Sequence, residues 1–114
     1  MNRLFVHSTI FDRKWKQANL SDETLRQLQE HLVAHPDAGA VIRGTDGLRK
    51  IRWFTESRGK RGGIRVFYVD FPKYEMLFLL TLLMKNEREE LTQEDYRSID
   101  RLIAIIRQEL EKKK

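Results

Sequence analysis

The sequence contains no cysteine, which excludes disulfides, thiol catalysis and cysteine-based zinc sites. It also lacks any apolar run approaching the roughly 20 residues that span a bilayer. Its most apolar stretch, Met76 to Met84, is strand-sized and stops at Lys85. The opening residues Met1-Asn2-Arg3-Leu4-Phe5-Val6-His7 show neither the long apolar segment nor the small-residue cleavage site of a signal peptide. No internal repeat and no low-complexity linker interrupts the 114 residues. One domain over residues 1–114, cytoplasmic and without a membrane partner, is therefore expected.

Basic charge is present in excess, and it is unevenly spread. The formal net charge is +5. Between Arg43 and Arg65 stand eight basic residues, Arg43, Arg49, Lys50, Arg52, Arg58, Lys60, Arg61 and Arg65, against Asp46 and Glu56 alone. That segment carries +6, so the remainder of the chain sums to −1. Such concentration points to a polyanionic partner rather than to general solubility.

The hydrophobic pattern gives the element order. Leu4-Phe5-Val6 reads as a first strand, and Phe11 to Gln17 as a short helix with Phe11 and Trp15 at i, i+4. Ser21 is placed to cap a second helix whose first turn holds Asp22 and Glu23 and whose apolar stripe runs through Leu25, Leu28 and Leu32. Pro36 ends it at His35. After a short Ala40-Val41-Ile42 segment, Leu48 to Phe54 and Ile64 to Phe71 read as strands joined by a hairpin loop from Thr55 to Gly62. Pro72-Lys73 turns the chain into a third strong strand, Tyr74 to Met84, apolar on both faces and hence internal. Thr92 and Asp95 make a capping-box pattern for a final helix with a stripe through Tyr96, Ile99, Leu102 or Ile103, Ile106 and Leu110. The class is α+β: an antiparallel sheet with two N-terminal helices and a C-terminal helix, the helices expected on one face.

Strand alternation places Lys50 and Arg52 on one face and Ile51 and Trp53 on the other. In the next strand Arg65 and Phe67 share a parity, so hairpin pairing can bring Arg65 beside Lys50 and Arg52 on an open face. Cations beside an aromatic ring suit single-stranded RNA, with phosphates neutralised and bases stacked. The same group has a route to catalysis. RNA cleavage by attack of the 2′-hydroxyl on the adjacent phosphate needs a proton acceptor, charge stabilisation at the phosphorane and a proton donor to the 5′-oxygen. A lysine crowded by arginines is one candidate acceptor, and arginine forks match phosphate oxygens.

Other patterns point nowhere further. His31 and His35 stand at i, i+4, but the segment lacks the glutamate of a zinc-protease helix, and exposed helix residues are the simpler reading. Gly59-Lys60-Arg61-Gly62-Gly63 superficially resembles a phosphate loop without the required spacing or following helix. Trp15 and Trp53 are in phase with apolar neighbours and read as core. No metal site and no cofactor is expected.

Gly47-Leu48-Arg49-Lys50-Ile51-Arg52, followed by Gly59-Lys60-Arg61-Gly62-Gly63-Ile64-Arg65-Val66-Phe67-Tyr68, resembles the HigB-type branch of the RelE/ParE toxin superfamily. The likeness continues through Phe78-Leu79-Leu80-Thr81, Lys85-Asn86-Glu87 and Leu91-Thr92, and so covers nearly the whole chain. It implies a RelE-like microbial RNase fold and a toxin of a type II toxin-antitoxin system. Such a toxin cuts mRNA in the ribosomal A site without a metal, by 2′-hydroxyl attack. It also implies a cognate antitoxin, of helix-turn-helix type, which contacts operator DNA as part of the complex.

Carried over by position, the resemblance makes Lys50, Arg52, Arg65 and Lys85 catalytic, with Arg65 stabilising the phosphorane. Arg49, Arg58, Lys60, Arg61, Phe67 and Asn86 are the RNA-binding set. Two departures stand out. Some RelE members carry a catalytic tyrosine where this chain has Leu91-Thr92, and Tyr96, inside the helix, is not assigned that role. HigB-type members often have tyrosine-glycine where this chain has Leu83-Met84. The general base and general acid stay open. ParE-like relatives share the fold and inhibit DNA gyrase, which makes a non-catalytic inhibitor of a protein target the alternative.

Overall fold

A computed structural model describes residues 2–54, 63–84 and 90–112. Strand β1 (Leu4–His7) leads into helix α1 (Thr9–Gln17), where Ser8 Oγ accepts the Phe11 N–H at 2.9 Å. This starts the helix two residues before the expected Phe11. Phe11 and Trp15 are buried on its inner face with their rings stacked at 5.5 Å. Asn19, at φ 60°, turns the chain toward helix α2 (Asp22–Ala34). Ser21 caps α2 through the Thr24 N–H at 3.0 Å, and Leu28 and Leu32 carry its buried stripe. The helix stops at His35, before Pro36, as the sequence requires.

Among the described residues the sheet has five strands, in the order β1-β5-β4-β3-β2. Strand β2 (Ala40–Val41) pairs with β3 (Arg49–Trp53), β3 with β4 (Ile64–Phe71), and β4 with β5 (Met76–Met84), all antiparallel. Among the described residues, only β1 runs parallel, to β5. Strand β5 begins two residues after the expected Tyr74 because Pro72–Tyr74 forms a 3-10 turn and Glu75 takes a left-handed conformation. It is internal, as its two apolar faces demand. Tyr68 pairs with Leu79 while Phe67 pairs with Thr81, so Leu80 is an extra residue, a bulge that shifts the facing pattern of β5 at its middle.

Helices cover both faces rather than one. Helices α1 and α2 bury Phe11, Trp15, Leu28 and Leu32 against Ile51, Ile64, Val66, Tyr68, Leu77, Leu79 and Leu82. Helix α3 (Gln93–Lys112) packs Ile103 and Leu110 against Phe67, Val69, Phe71, Leu80 and Leu83 on the opposite face. The physical reason lies in β4 and β5, whose two parities are both apolar; each face needs its own cover. Thr92 and Asp95 form the expected capping box, with Thr92 N–H donating to Asp95 Oδ2 at 3.2 Å and Asp95 N–H to Thr92 Oγ1 at 3.0 Å. Of the two candidates on α3, Ile103 is buried and Leu102 faces out. Among the described residues, no helix is long and apolar enough to cross a membrane.

Candidate nucleic-acid interface

Pairing of β3 with β4 decides the geometry of the basic residues. Lys50 lies opposite Phe67, and Arg52 opposite Arg65. Directly paired side chains share a face about 5 Å apart, and the next rung on that face is about 7 Å along the strand. Lys50, Arg52 and Arg65 therefore form one patch, as strand alternation predicts. Ile51 and Trp53 point the other way and pack beneath α1 and α2. Arg52 is exposed, Lys50 half-buried, and Arg65 only 7% exposed.

This face is not the open surface expected from the sequence, because α3 occupies part of it. The helix runs alongside β4: Tyr96 in its first turn lies edge-on over Phe67, with ring centroids 6.5 Å apart, and Arg107 near its end sits over the Phe71 ring at 5.0 Å. Phe67 is fully buried under that cover. It cannot offer its ring to a base, and its expected stacking role gives way to core packing. Arg49 falls on the opposite face, opposite Tyr68, with its guanidinium donating to the carbonyls of Gly39 at 2.6 Å and Asp37 at 3.3 Å. The structure thus does not bring Arg49 to the patch. Arg58, Lys60, Arg61, Lys85 and Asn86 lie outside the described residues.

Two residues not anticipated at the site complete it. Glu90, just before α3, accepts from Lys50 Nζ at 2.7 Å through Oε2 and from the Tyr96 hydroxyl at 2.6 Å through Oε1. The hydrogen bond from Lys50, then that from Tyr96, hold the Glu90 carboxyl below its usual range against the opposing effect of burial, and the charges of Lys50 and Arg65 add smaller contributions. Burial, followed by the hydrogen bond to this carboxylate, pushes the Tyr96 phenol up to about 12. The partner of Lys50 is thus a carboxylate, which offsets the like-charge crowding expected from Arg52 and Arg65. In the sequence Tyr96 reads as the first member of an apolar stripe and is set aside as a counterpart of the RelE tyrosine because it lies inside the helix. Glu90 was one of several acidic residues in a charged connection, with nothing local to single it out.

The histidines sit elsewhere. The ring of His31 packs against Trp53 and against His35, both at 5.2 Å. Among the described residues, no group of three or more histidines or carboxylates is arranged to hold a metal.

No model of a known protein family matches the sequence. Among solved structures, the chain is similar to an arginine-to-alanine double mutant of the E. coli toxin RelE in the free state, with a TM-score of 0.51. The alignment covers 73% of this chain and 83% of that one at 20% identity. This is a RelE-like fold. The identity is low enough that the likeness speaks for the arrangement of helices and strands alone. Within that RelE-like arrangement, the patch of Lys50, Arg52 and Arg65 belongs to β3 and β4, and Glu90 and Tyr96 come from the start of the C-terminal helical region.

Proposed function

We propose that the chain is the toxin of a type II toxin-antitoxin system, of the HigB type, and cleaves mRNA on the ribosome. The observation that carries this reading is the patch of Lys50, Arg52 and Arg65 on one face of a RelE-like sheet. In the proposed reaction the substrate 2′-hydroxyl attacks the adjacent phosphorus and gives up its proton. Negative charge gathers on the non-bridging oxygens of the phosphorane, where the forks of Arg65 and Arg52 and the ammonium of Lys50 stabilise it. The bond to the 5′-oxygen breaks, that oxygen takes a proton, and the products are a 2′,3′-cyclic phosphate and a 5′-hydroxyl. No metal or cofactor enters these steps. Lys85 and Asn86 are assigned near the scissile phosphate, and Arg58, Lys60 and Arg61 to contacts with RNA or ribosome, on the sequence resemblance. A helix-turn-helix antitoxin would hold the protein inactive in the cytoplasm and link it to operator DNA.

The test is a defined mRNA incubated with the purified protein, with and without programmed ribosomes. Cleavage only with ribosomes, leaving cyclic phosphate ends, is the expected result. Arg65→Ala should abolish it. Because Arg65 is nearly buried, a thermal melt must accompany that variant, and Arg65→Lys, which keeps the charge but not the fork, should retain a small fraction of the rate. Intact mRNA together with inhibited gyrase supercoiling would instead establish the ParE-like alternative.

A further inference from the structure

The carboxylate of Glu90 stands on the cationic patch as an anion supplied by the protein itself. Both of its oxygens are engaged, one by Lys50 Nζ at 2.7 Å and one by the Tyr96 hydroxyl at 2.6 Å. Its side chain is 62% exposed against 23% for that of Lys50, so the carboxylate is the more solvent-accessible member of the pair. We propose that Glu90 is an internal counter-anion occupying the place of an RNA phosphate on Lys50, and that substrate binding exchanges the carboxylate for a phosphodiester. The inference rests on the RNA-cleaving reading and adds to it a residue that sets substrate affinity.

Three physical points support the exchange. A patch of three cations held on adjoining rungs repels itself when empty, and a carboxylate within it relieves that repulsion. An exposed pair of this kind contributes little to stability, so an incoming phosphate displaces it at small cost. A carboxylate and a phosphodiester both accept hydrogen bonds from an ammonium and carry one negative charge, yet they repel each other, so they cannot share Lys50 closely. The hydrogen bond from Lys50, and after it that from Tyr96, hold the Glu90 carboxyl low, which keeps it anionic in the free protein. Binding should therefore be weaker than the patch alone would give, and the toxin more selective for RNA presented by many contacts at once.

The experiment uses the full chain and a 2′-O-methyl RNA oligonucleotide, which lacks the attacking hydroxyl, with affinity read by fluorescence anisotropy across a salt series. E90Q keeps the size and hydrogen-bonding reach of the side chain and removes its charge. It should bind roughly three- to tenfold tighter than wild type, with a salt slope steeper by up to about 0.7, as for one further neutralised phosphate. In a Lys50→Gln background the gain from E90Q should fall below about twofold, because the cation in dispute is gone. Wild-type binding with E90Q equal or weaker overturns this inference and leaves the RNA-cleaving reading standing. Failure of both proteins to bind at low salt overturns this inference too, while the RNA-cleaving reading falls only if mRNA stays intact with programmed ribosomes.

Discussion

At the residue scale, the side chains around the patch differ in what they do for the fold and what they do for the site. Tyr68 is wholly structural. It is fully buried, its hydroxyl donates to the Pro36 carbonyl at 2.8 Å and accepts from the Gly39 N–H at 2.9 Å, and so it ties the end of α2 to β4. Tyr68→Phe leaves those two groups unsatisfied and should cost about 1–3 kcal/mol in chemical denaturation, with cleavage by the folded protein unchanged. Tyr96, by contrast, reports on the site. Its raised phenol remains protonated above the usual tyrosine range of about 10, and its neutral form favours the fold until the pH rises through about 12. E90Q removes the carboxylate and should bring the Tyr96 titration down, though not fully, because burial is the larger cause. Phenolate absorbance or the Tyr96 ring carbon shift checks this; no change on removing the carboxylate would contradict the hydrogen bond assigned to it.

At the element scale, the start of α3 fixes where Glu90 and Tyr96 stand. The Thr92–Asp95 box sets that start, so Thr92→Ala should lower stability by about 1 kcal/mol in a thermal or denaturant melt. Ile103→Ala empties a fully buried position against the sheet and should cost about 2–5 kcal/mol. Capping residues, the proline stops and the two-residue alternation of β3 were all legible in the chain, because each acts through neighbours one to four positions away. The faces taken by the helices were less so. The double-sided apolar pattern of β4 and β5 contained the information, but no local rule says which helix covers which side. The bulge at Leu80 is likewise a property of the pairing between two strands and not of either sequence alone.

At the scale of the whole molecule, three of the eight clustered basic residues, Lys50, Arg52 and Arg65, meet on one face of the β3–β4 pair, where α3 leaves Arg52 exposed. Lys50, Arg52 and Arg65 were legible as a set because strand period and hairpin register depend on short-range pattern. The burial of Phe67 and the turning away of Arg49 were not, since both depend on long-range packing: α3 closing over β4 in one case, and the chain after α2 meeting β3 in the other. Glu90 joins the site across 40 positions of sequence, through a contact that only the assembled fold creates. A patch built this way should bind RNA with a strong dependence on ionic strength.

The patch of Lys50, Arg52 and Arg65 is proposed to cut mRNA during translation. The most direct measurement is to induce the protein in bacteria and map transcript 5′ ends across translated and untranslated regions, with Arg65→Ala in parallel. New ends confined to translated frames, and absent with the variant, are the predicted result. Growth arrest with intact transcripts would contradict the claim.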